Sequence, residues 1–231
     1  MALFAGAGGG ILGGHLLGWR TVAAVEIGDY PRRVLLQRQA DGILPRFPIW
    51  DDVCTFDGKP WRGKVDVVSG GFPCQAFSKA KHGIRTSVNL WPEMLRIVKE
   101  CCPRFVFAEN VAEEAIAQAG VDLFREGYAV RYAKISAKDL GADHKRDRWW
   151  LVAHSDLCGE LLCKFNDEAQ GMQKLQNCIW GSDPNESRMV NGVADRLDRL
   201  KASGNGQVPI VAAFAWKILG ENTKDMPRQS A

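Results

Sequence analysis

Val65-Asp66-Val67-Val68-Ser69-Gly70-Gly71-Phe72-Pro73-Cys74 runs from apolar residues through a glycine turn to a cysteine. A short apolar run that ends in such a turn is typical of a buried strand in a parallel sheet. Open α/β sheets bind their ligands beyond the carboxyl ends of such strands. Cys74 is therefore predicted to lie at the edge of the sheet where chemistry takes place.

A lone cysteine after a strand is usually a small buried hydrophobe. Cys74 differs because Pro73 stiffens the turn and small polar residues follow, which leaves the sulfur at the edge of a loop. Lys79, Lys81 and Arg85 lie nearby in the sequence and favour the thiolate, which is the nucleophilic form. The chain has seven cysteines without regular pairing, which fits a reducing compartment better than a disulfide scaffold.

The chain opens with a second glycine turn, Phe4-Ala5-Gly6-Ala7-Gly8-Gly9, which serves either a nucleotide-like ligand or a plain structural turn. Glu26 ends the apolar run 21–25, at the distance along the chain at which an acid meets ribose hydroxyls. Asp52 follows the run 47–50, where it could accept from an adenine amino group. Each acid alone could equally be a solvated residue at the end of a strand. The glycine turn and the two acids together favour an adenosine ligand. The missing Walker lysine pattern disfavours a triphosphate.

Glu109 follows the apolar run Phe105-Val106-Phe107-Ala108, so burial is expected to raise its pKa and to let it donate or share a proton. The alternative is that Glu109 caps the helix that follows. Arg146 and Arg148 point to the same side of an extended segment, where two guanidiniums could grip a phosphate or a base carbonyl. A charge cluster before a strand is also commonly a solvated face.

Apolar runs alternate with amphipathic stretches, which predicts βαβ units on a mostly parallel central sheet with helices on both faces, an α/β fold. The predicted strands lie near 1–5, 21–25, 47–50, 65–69, 104–108, 129–135 and 148–153. The predicted helices span 91–102 behind Asn89 as a cap, 111–124, and 208–219 with Pro209 in the first turn.

With 231 residues, 46% of them apolar and 25% charged, the chain suits one large α/β domain. The sequence has neither an apolar run long enough to cross a bilayer nor a secretory leader, so we expect a cytoplasmic protein with no membrane partner. The chain begins almost inside its first predicted strand, so we expect a few residues to precede it.

Charge is distributed unevenly along the chain. Residues 154–191 carry three basic and six acidic side chains, so they have a net charge of −3 and the remainder carries +6. A surface that meets phosphates would resemble the α/β body and not this segment. His154, Cys158, Cys163 and Cys178 match no standard zinc spacing, so no metal site is predicted.

These elements, in this order, resemble those of the cytosine-5 DNA methyltransferases, particularly short phage-like or Dcm-type members. The matching stretches are 4–9, Glu26 with Asp52, 71–78, 109–111, 146–148 and 204–209. The resemblance implies a Rossmann-like, S-adenosylmethionine-dependent methyltransferase fold. It also implies a catalytic and cofactor-binding domain over 1–153, a short target-recognition insert over 154–195, and a segment over 196–231 that returns to the catalytic domain.

The resemblance further implies a role for each matching residue. Cys74 would add to C6 of a flipped-out cytosine, Glu109 would hold N3 and the exocyclic amine, and Arg148, helped by Arg146, would orient the base or its flanking phosphate. The cofactor S-adenosylmethionine, whose product is S-adenosylhomocysteine, is expected at Phe4, Ala5, Gly6, Gly8, Gly9, Glu26, Ile27, Asp52, Val53, Pro73 and Asn205. The substrate is expected at Gln75, Ser78, Lys79, Lys81, Arg85 and Asn110.

Double-stranded DNA is the expected partner of a monomeric enzyme in a bacterial or phage-infected cell. The family inserts a sizeable recognition domain before its last motif, whereas the interval here is short. This departure implies relaxed sequence specificity, or specificity supplied by another protein. Since one branch of the family acts on transfer RNA, an RNA cytosine-5 methyltransferase is an alternative, and a non-catalytic cofactor-binding relative is another.

The acidic side chains between 156 and 186 are predicted not to bind DNA, because phosphates repel them and phosphate attraction dominates affinity for DNA. Replacing them with alanine should not raise the dissociation constant for a DNA duplex. Replacing Lys79, Lys81 and Arg85 should raise it by about tenfold or more. Fluorescence anisotropy with a labelled duplex at fixed ionic strength measures both. A large loss of affinity in the first variant would show that the acidic segment contacts DNA.

Overall fold

The computed structural model describes residues 1–73, 89–155, 163–164 and 206–220. Its strands are β1 (Ala2–Leu3), β2 (Ala24–Val25), β3 (Ile49–Trp50), β4 (Val67–Gly71), β5 (Phe105–Asn110), β6 (Ala129–Ser136), β7 (Asp147–His154) and β8 (Cys163–Lys164). Its α-helices are α1 (Gly9–Leu16), α2 (Asp29–Ala40), α3 (Trp91–Cys101), α4 (Glu113–Arg125) and α5 (Pro209–Gly220). Two 3₁₀ turns span Lys59–Trp61 and Lys138–Leu140.

The described strands form one sheet in the order β3-β2-β1-β4-β5-β7-β6-β8. Strands β1 to β5 are parallel, and β7 runs antiparallel to β5 on one side and to β6 on the other. In register, Leu3 pairs with Val25 of β2 and with Gly70 of β4, and Gly71 pairs with Glu109 of β5. The chain therefore winds outward in both directions from β1, which creates a crevice at the carboxyl ends of β1 and β4.

Helices cover both faces of the sheet, and β5 shows this most clearly because all six of its residues are buried. Val106 and Ala108 point into a core that α3 and α4 complete. Phe105 and Phe107 point the other way, into a core that α5 completes. A third cluster packs α1 and α2 against β1 and β2. The predicted fold class is confirmed.

The helices begin where the sequence supplies a suitable first turn. The Oδ1 of Asn89 accepts a hydrogen bond of 3.0 Å from the backbone N–H of Trp91, so Asn89 binds the first turn of α3, although the residue at the N-cap position is Leu90. Helix α3 then buries an apolar stripe through Trp91, Met94, Ile97, Val98 and Cys101. Helix α5 begins at Pro209, a position that tolerates proline because the first N–H of a helix has no partner within it.

All seven predicted strands are present, although β1, β2 and β3 have only two residues each. Strands β4 and β5 extend further than predicted, to Gly71 and Asn110, so Glu109 lies inside a strand instead of after it. Strand β8 falls in the predicted insert and pairs in parallel with β6. The boundaries predicted for the three regions of the chain stay predictions. No helix among the described residues combines the length and apolar character that a bilayer span requires.

Cys102 ends α3 in the left-handed region, with φ 48° and ψ 58°, and its side chain is exposed. This conformation is strained for a residue with a Cβ and unstrained for glycine. Cys102→Gly should therefore raise the free energy of unfolding by about 1 kcal/mol. Urea denaturation measures the change, and Cys102→Ala is the control that keeps the strain. A glycine variant no more stable than the alanine variant would contradict the assignment.

Candidate active site

The turn between β1 and α1 is held by a carboxylate from β2. Phe4, Gly6 and Gly8 have φ values of 52°, 55° and 95°, so the turn depends on the left-handed region, which glycine enters without strain. The N–H of Gly6 donates to Oε2 of Glu26 at 2.7 Å, and the N–H of Gly28 donates to Oε1 at 2.8 Å. Glu26 thereby ties the glycine turn to the segment that follows β2.

Arg32 fixes the same segment from the first turns of α2. Its guanidinium donates to the backbone carbonyl of Ile27 at 2.9 Å and to that of Glu26 at 3.3 Å, and it pairs with Asp29. The Ile27 side chain is left 72% exposed beside this rigid turn. An exposed apolar side chain next to a fixed carboxylate suits a ligand with a flat ring and a sugar.

The end of β3 contributes the next part of this edge. Asp52 accepts a hydrogen bond of 2.9 Å from the N–H of Cys54 through Oδ1. Val53 is buried, whereas Trp50 is 48% exposed. The predicted cofactor residues of β1, β2 and β3 thus lie at one edge of the sheet, and their chemistry fits an adenosine group. Their contacts with a cofactor stay predictions.

Glu109 is a buried carboxylate that faces a guanidinium. It is 7% exposed, and its Oε1 lies 2.9 Å from Nε of Arg148 at the start of β7. Burial raises the pKa of Glu109, while the charges of Arg148 and Arg146 and a hydrogen bond from Gln207 oppose that rise. The sequence predicts that burial raises the pKa of Glu109, and burial is the largest cause of the rise in the structure. The structure assigns Glu109 to this pair and not to a helix cap.

Arg146 is held on the other side of the same cluster. Its Nη2 donates to the backbone carbonyl of Gly206, so the segment before β7 is tied to the segment before α5. Burial lowers the pKa of Arg146, and the positive charge of Arg148 adds to this effect. Both arginines act on Glu109, as expected of side chains on one side of an extended segment. Their predicted grip on a base or phosphate stays a prediction.

The end of β4 is anchored by contacts with the end of β5 and with the segment before α3. Nδ2 of Asn110 donates to the carbonyl of Phe72 at 2.8 Å, and the ring of Phe72 lies 5.1 Å from that of Trp91. The carbonyl of Pro73 accepts from the N–H of Leu90 at 3.2 Å. Oδ1 of Asn110 accepts from the backbone of residue 112. Asn110 is therefore a positioning residue for this strand end, and its predicted contact with substrate stays a prediction.

Seven predicted site residues lie outside the described residues: Cys74, Gln75, Ser78, Lys79, Lys81, Arg85 and Asn205. The described residues that adjoin two of them in the sequence lie at the site. Phe72 and Pro73 extend from β4, next to Glu109, toward Cys74. Gly206 contacts Arg146 directly after Asn205.

Gln207 is a site residue that the sequence argument missed, although it lies in the last matching stretch. A Cβ on Gly9 would lie 2.0 Å from the carbonyl oxygen of Gln207. Packing against Gln207 therefore explains why position 9 is a glycine. The predicted contact of Gly9 with a cofactor stays a prediction. The signal in the sequence was the third glycine in the run 8–10, which is more than the turn itself requires.

The ends of β1, β2, β4 and β5 and the start of β7 thus carry a glycine turn, a fixed acid, the approach to a thiol, and a buried acid paired with arginine. The family model for C-5 cytosine-specific DNA methylases matches residues 1–206. The chain belongs to this family. The resemblance stated from the motifs is confirmed.

Individual relatives support the same assignment. The Type II methyltransferase M.Eco47II of Escherichia coli is 40% identical over 241 residues, which cover 96% of this chain and 55% of that protein. M.NgoMIV of Neisseria gonorrhoeae, also a Type II methyltransferase, is 30% identical over 66% of this chain and 50% of its own length. The chain spans about half the length of these two relatives.

A solved structure supports the fold. The Dnmt2 methyltransferase of S. pombe superposes with a TM-score of 0.55 and 18% identity, over 70% of this chain and 52% of that chain. At this level of identity the likeness concerns the architecture of the sheet and helices.

Arg148→Met should destabilise the protein by about 3 kcal/mol at pH 8, because it leaves a buried carboxylate without its partner. The pKa of Glu109 then rises further above its unfolded value. Between those two values the folded protein holds a proton that the unfolded chain releases, so stability falls as pH rises. The loss should therefore be smaller at pH 5 than at pH 8.

Urea denaturation at the two pH values measures this difference. Arg125→Met is the matched control, since Arg125 is 71% exposed and lies 3.5 Å from Asp122. An exposed ion pair of this kind contributes less than about 1 kcal/mol. If Arg148→Met lowers the free energy of unfolding equally at pH 5 and pH 8, the claim that Arg148 stabilises the buried carboxylate of Glu109 is contradicted.

Proposed function

We propose that this chain carries the catalytic part of a DNA cytosine-5 methyltransferase that uses S-adenosylmethionine. The observation that carries the proposal is the buried pair of Glu109 and Arg148 on β5 and β7. It lies beside the end of β4, which leads to Cys74. A thiol and a protonatable acid on adjacent strands suit covalent addition to a pyrimidine ring with proton donation to the same ring.

The cofactor would lie across the ends of β1, β2 and β3. Glu26 would face the ribose hydroxyls, with the backbone of the glycine turn beside it, and Ile27 would pack against the adenine ring. When bound, the cofactor supplies a methyl group on a sulfonium, which makes that methyl electrophilic. The fit rests on the fixed carboxylate of Glu26 and the exposed side chain of Ile27.

Cytosine C5 is a poor nucleophile until the ring is activated. The thiolate of Cys74 forms a bond to C6, while protonated Glu109 donates to N3 and the ring becomes an electron-rich enamine. After C5 gains its methyl group, C5 loses its proton to a base. The bond between Cys74 and C6 then breaks, the thiolate leaves, N3 returns its proton to Glu109, and aromaticity returns. Arg148 holds Glu109 in position throughout, and its pairing keeps the acid within the site.

The target base must leave the helix to reach these groups, because C6 of a stacked cytosine is closed to attack. Double-stranded DNA is the proposed partner and the monomer the proposed form. Sequence specificity comes either from the short insert or from another protein. The proposed location is the cytoplasm of a bacterial or phage-infected cell.

A mechanism-based trap tests the proposal. A duplex with 5-fluorocytosine should form a denaturation-resistant adduct with the protein when S-adenosylmethionine is present, because fluorine at C5 blocks the final elimination. Cys74→Ser should abolish the adduct, and Cys102→Ser, which changes an exposed cysteine, should retain it. Denaturing electrophoresis measures the shift in mass.

The outcomes separate the alternatives. An adduct with fluorinated RNA and none with DNA would establish an RNA methyltransferase. No adduct with either, in a protein that binds the cofactor, would establish a non-catalytic relative. In both cases the proposed DNA methyltransferase activity is rejected.

A further inference from the structure

Gln207 fills a slot that three glycines leave open. A Cβ on Gly9 would lie 2.0 Å from its carbonyl oxygen, and a Cβ on Gly10 would lie 2.2 Å from its Oε1. A Cβ on Gly71 would lie 3.2 Å from its Nε2. No side chain fits at the first two positions without moving Gln207, so the slot is shaped to this residue.

The same slot contains one oxygen of Glu109. Its Oε2 would lie 2.5 Å from a Cβ on Gly71, so this oxygen and Nε2 of Gln207 lie against the same glycine. Gln207 hydrogen-bonds to the Glu109 carboxylate. Because a carboxylate only accepts, the amide nitrogen must be the donor. Arg148 meanwhile binds Oε1 at 2.9 Å, so Glu109 is held from two sides.

The position of Gln207 also links two parts of the site. Gly9 and Gly10 form the first turn of α1, directly after the glycine turn at 4–8. Gly71 ends β4, directly before the residues that lead to Cys74. Gln207 therefore contacts the beginning of α1 with its amide oxygen and the Glu109 carboxylate with its amide nitrogen.

We propose that Gln207 is a positioning residue that fixes the Glu109 carboxylate from the side of the cofactor turn. Its role in catalysis rests on the proposed function, whereas its contact with Glu109 can be tested without turnover. Among the described residues, the charged groups that face Glu109 are Arg148 and Arg146, from β7 and the segment before it. Gly71 and Gln207 face it from β4 and from the segment before α5, and neither carries a charge.

Titration of Glu109 tests the contact directly. The protein is labelled with glutamate carrying ¹³C in the side-chain carboxyl, and the Glu109 signal is assigned by its loss in Glu109→Gln. A hydrogen bond to the ionised form lowers a carboxyl pKa, so Gln207→Met should move the midpoint to higher pH. Gln118→Met is the matched control, because Gln118 is an exposed glutamine whose amide contacts Asp122.

Gly10→Ala approaches the same contact from the other side. The new methyl group would collide with Oε1 of Gln207 and displace its amide, so the midpoint should again move to higher pH. The two changes act on one contact, so the double variant should shift no further than Gln207→Met alone. The single variant Gly10→Ala also keeps the test decisive if Gln207→Met does not fold.

A midpoint that stays at its wild-type value in both variants would overturn the inference, whatever the activity. If the chain methylates DNA, Gln207→Met should lower kcat about tenfold, as loss of one hydrogen bond to a charged group implies, with KM for S-adenosylmethionine within about twofold. The limb of the pH profile governed by Glu109 should move to higher pH, whichever protonation state is active. A wild-type chain without turnover rejects the proposed function and leaves the titration to decide this inference.

Discussion

Burial of the Glu109 carboxylate is the constraint on which the rest of the site depends. A carboxylate removed from water loses several kcal/mol of solvation unless a partner of opposite charge and further donors replace the water. Arg148 supplies the charge at 2.9 Å, and Gln207 supplies a second donor. Because the pKa of Glu109 stays raised although both partners oppose the rise, burial outweighs them.

This requirement also explains the direction of β7. In a parallel strand the residues at the functional edge come after the strand, whereas in an antiparallel strand they come before it. Arg146 and Arg148 lie just before or at the start of β7, so only the antiparallel direction brings them to the edge where Glu109 lies, one residue before the end of β5. The apolar residues Leu151 and Val152 then continue into the two cores on either face of the sheet.

Much of this arrangement could be predicted from the sequence, because it depends on local signals. Apolar runs predict the strands, and the residue after each run predicts the functional edge, as Glu26 and Glu109 show. The direction of β7 has no signature in hydrophobic periodicity, since parallel and antiparallel strands bury the same residues. Asn110 was predicted to meet substrate because the stretch 109–111 resembles an element of the family. Its actual partners, the backbone of Phe72 and of residue 112, depend on how β4 and β5 pair.

Gln207 shows most clearly what a sequence pattern leaves undetermined. Glycines after the first strand suggest a ligand that approaches the backbone, and Gly6 and Gly8 do have the positive φ angles of such a turn. Gly9, Gly10 and Gly13 instead make room for residues 207–212, about two hundred positions away. Only the docking of α5 on α1 reveals this second use. The turn at 4–8 leads into α1, and Gln207 packs against the first residues of this helix. Gln207 also holds Glu109, near the end of β5. The first and last matching stretches are therefore one structural unit.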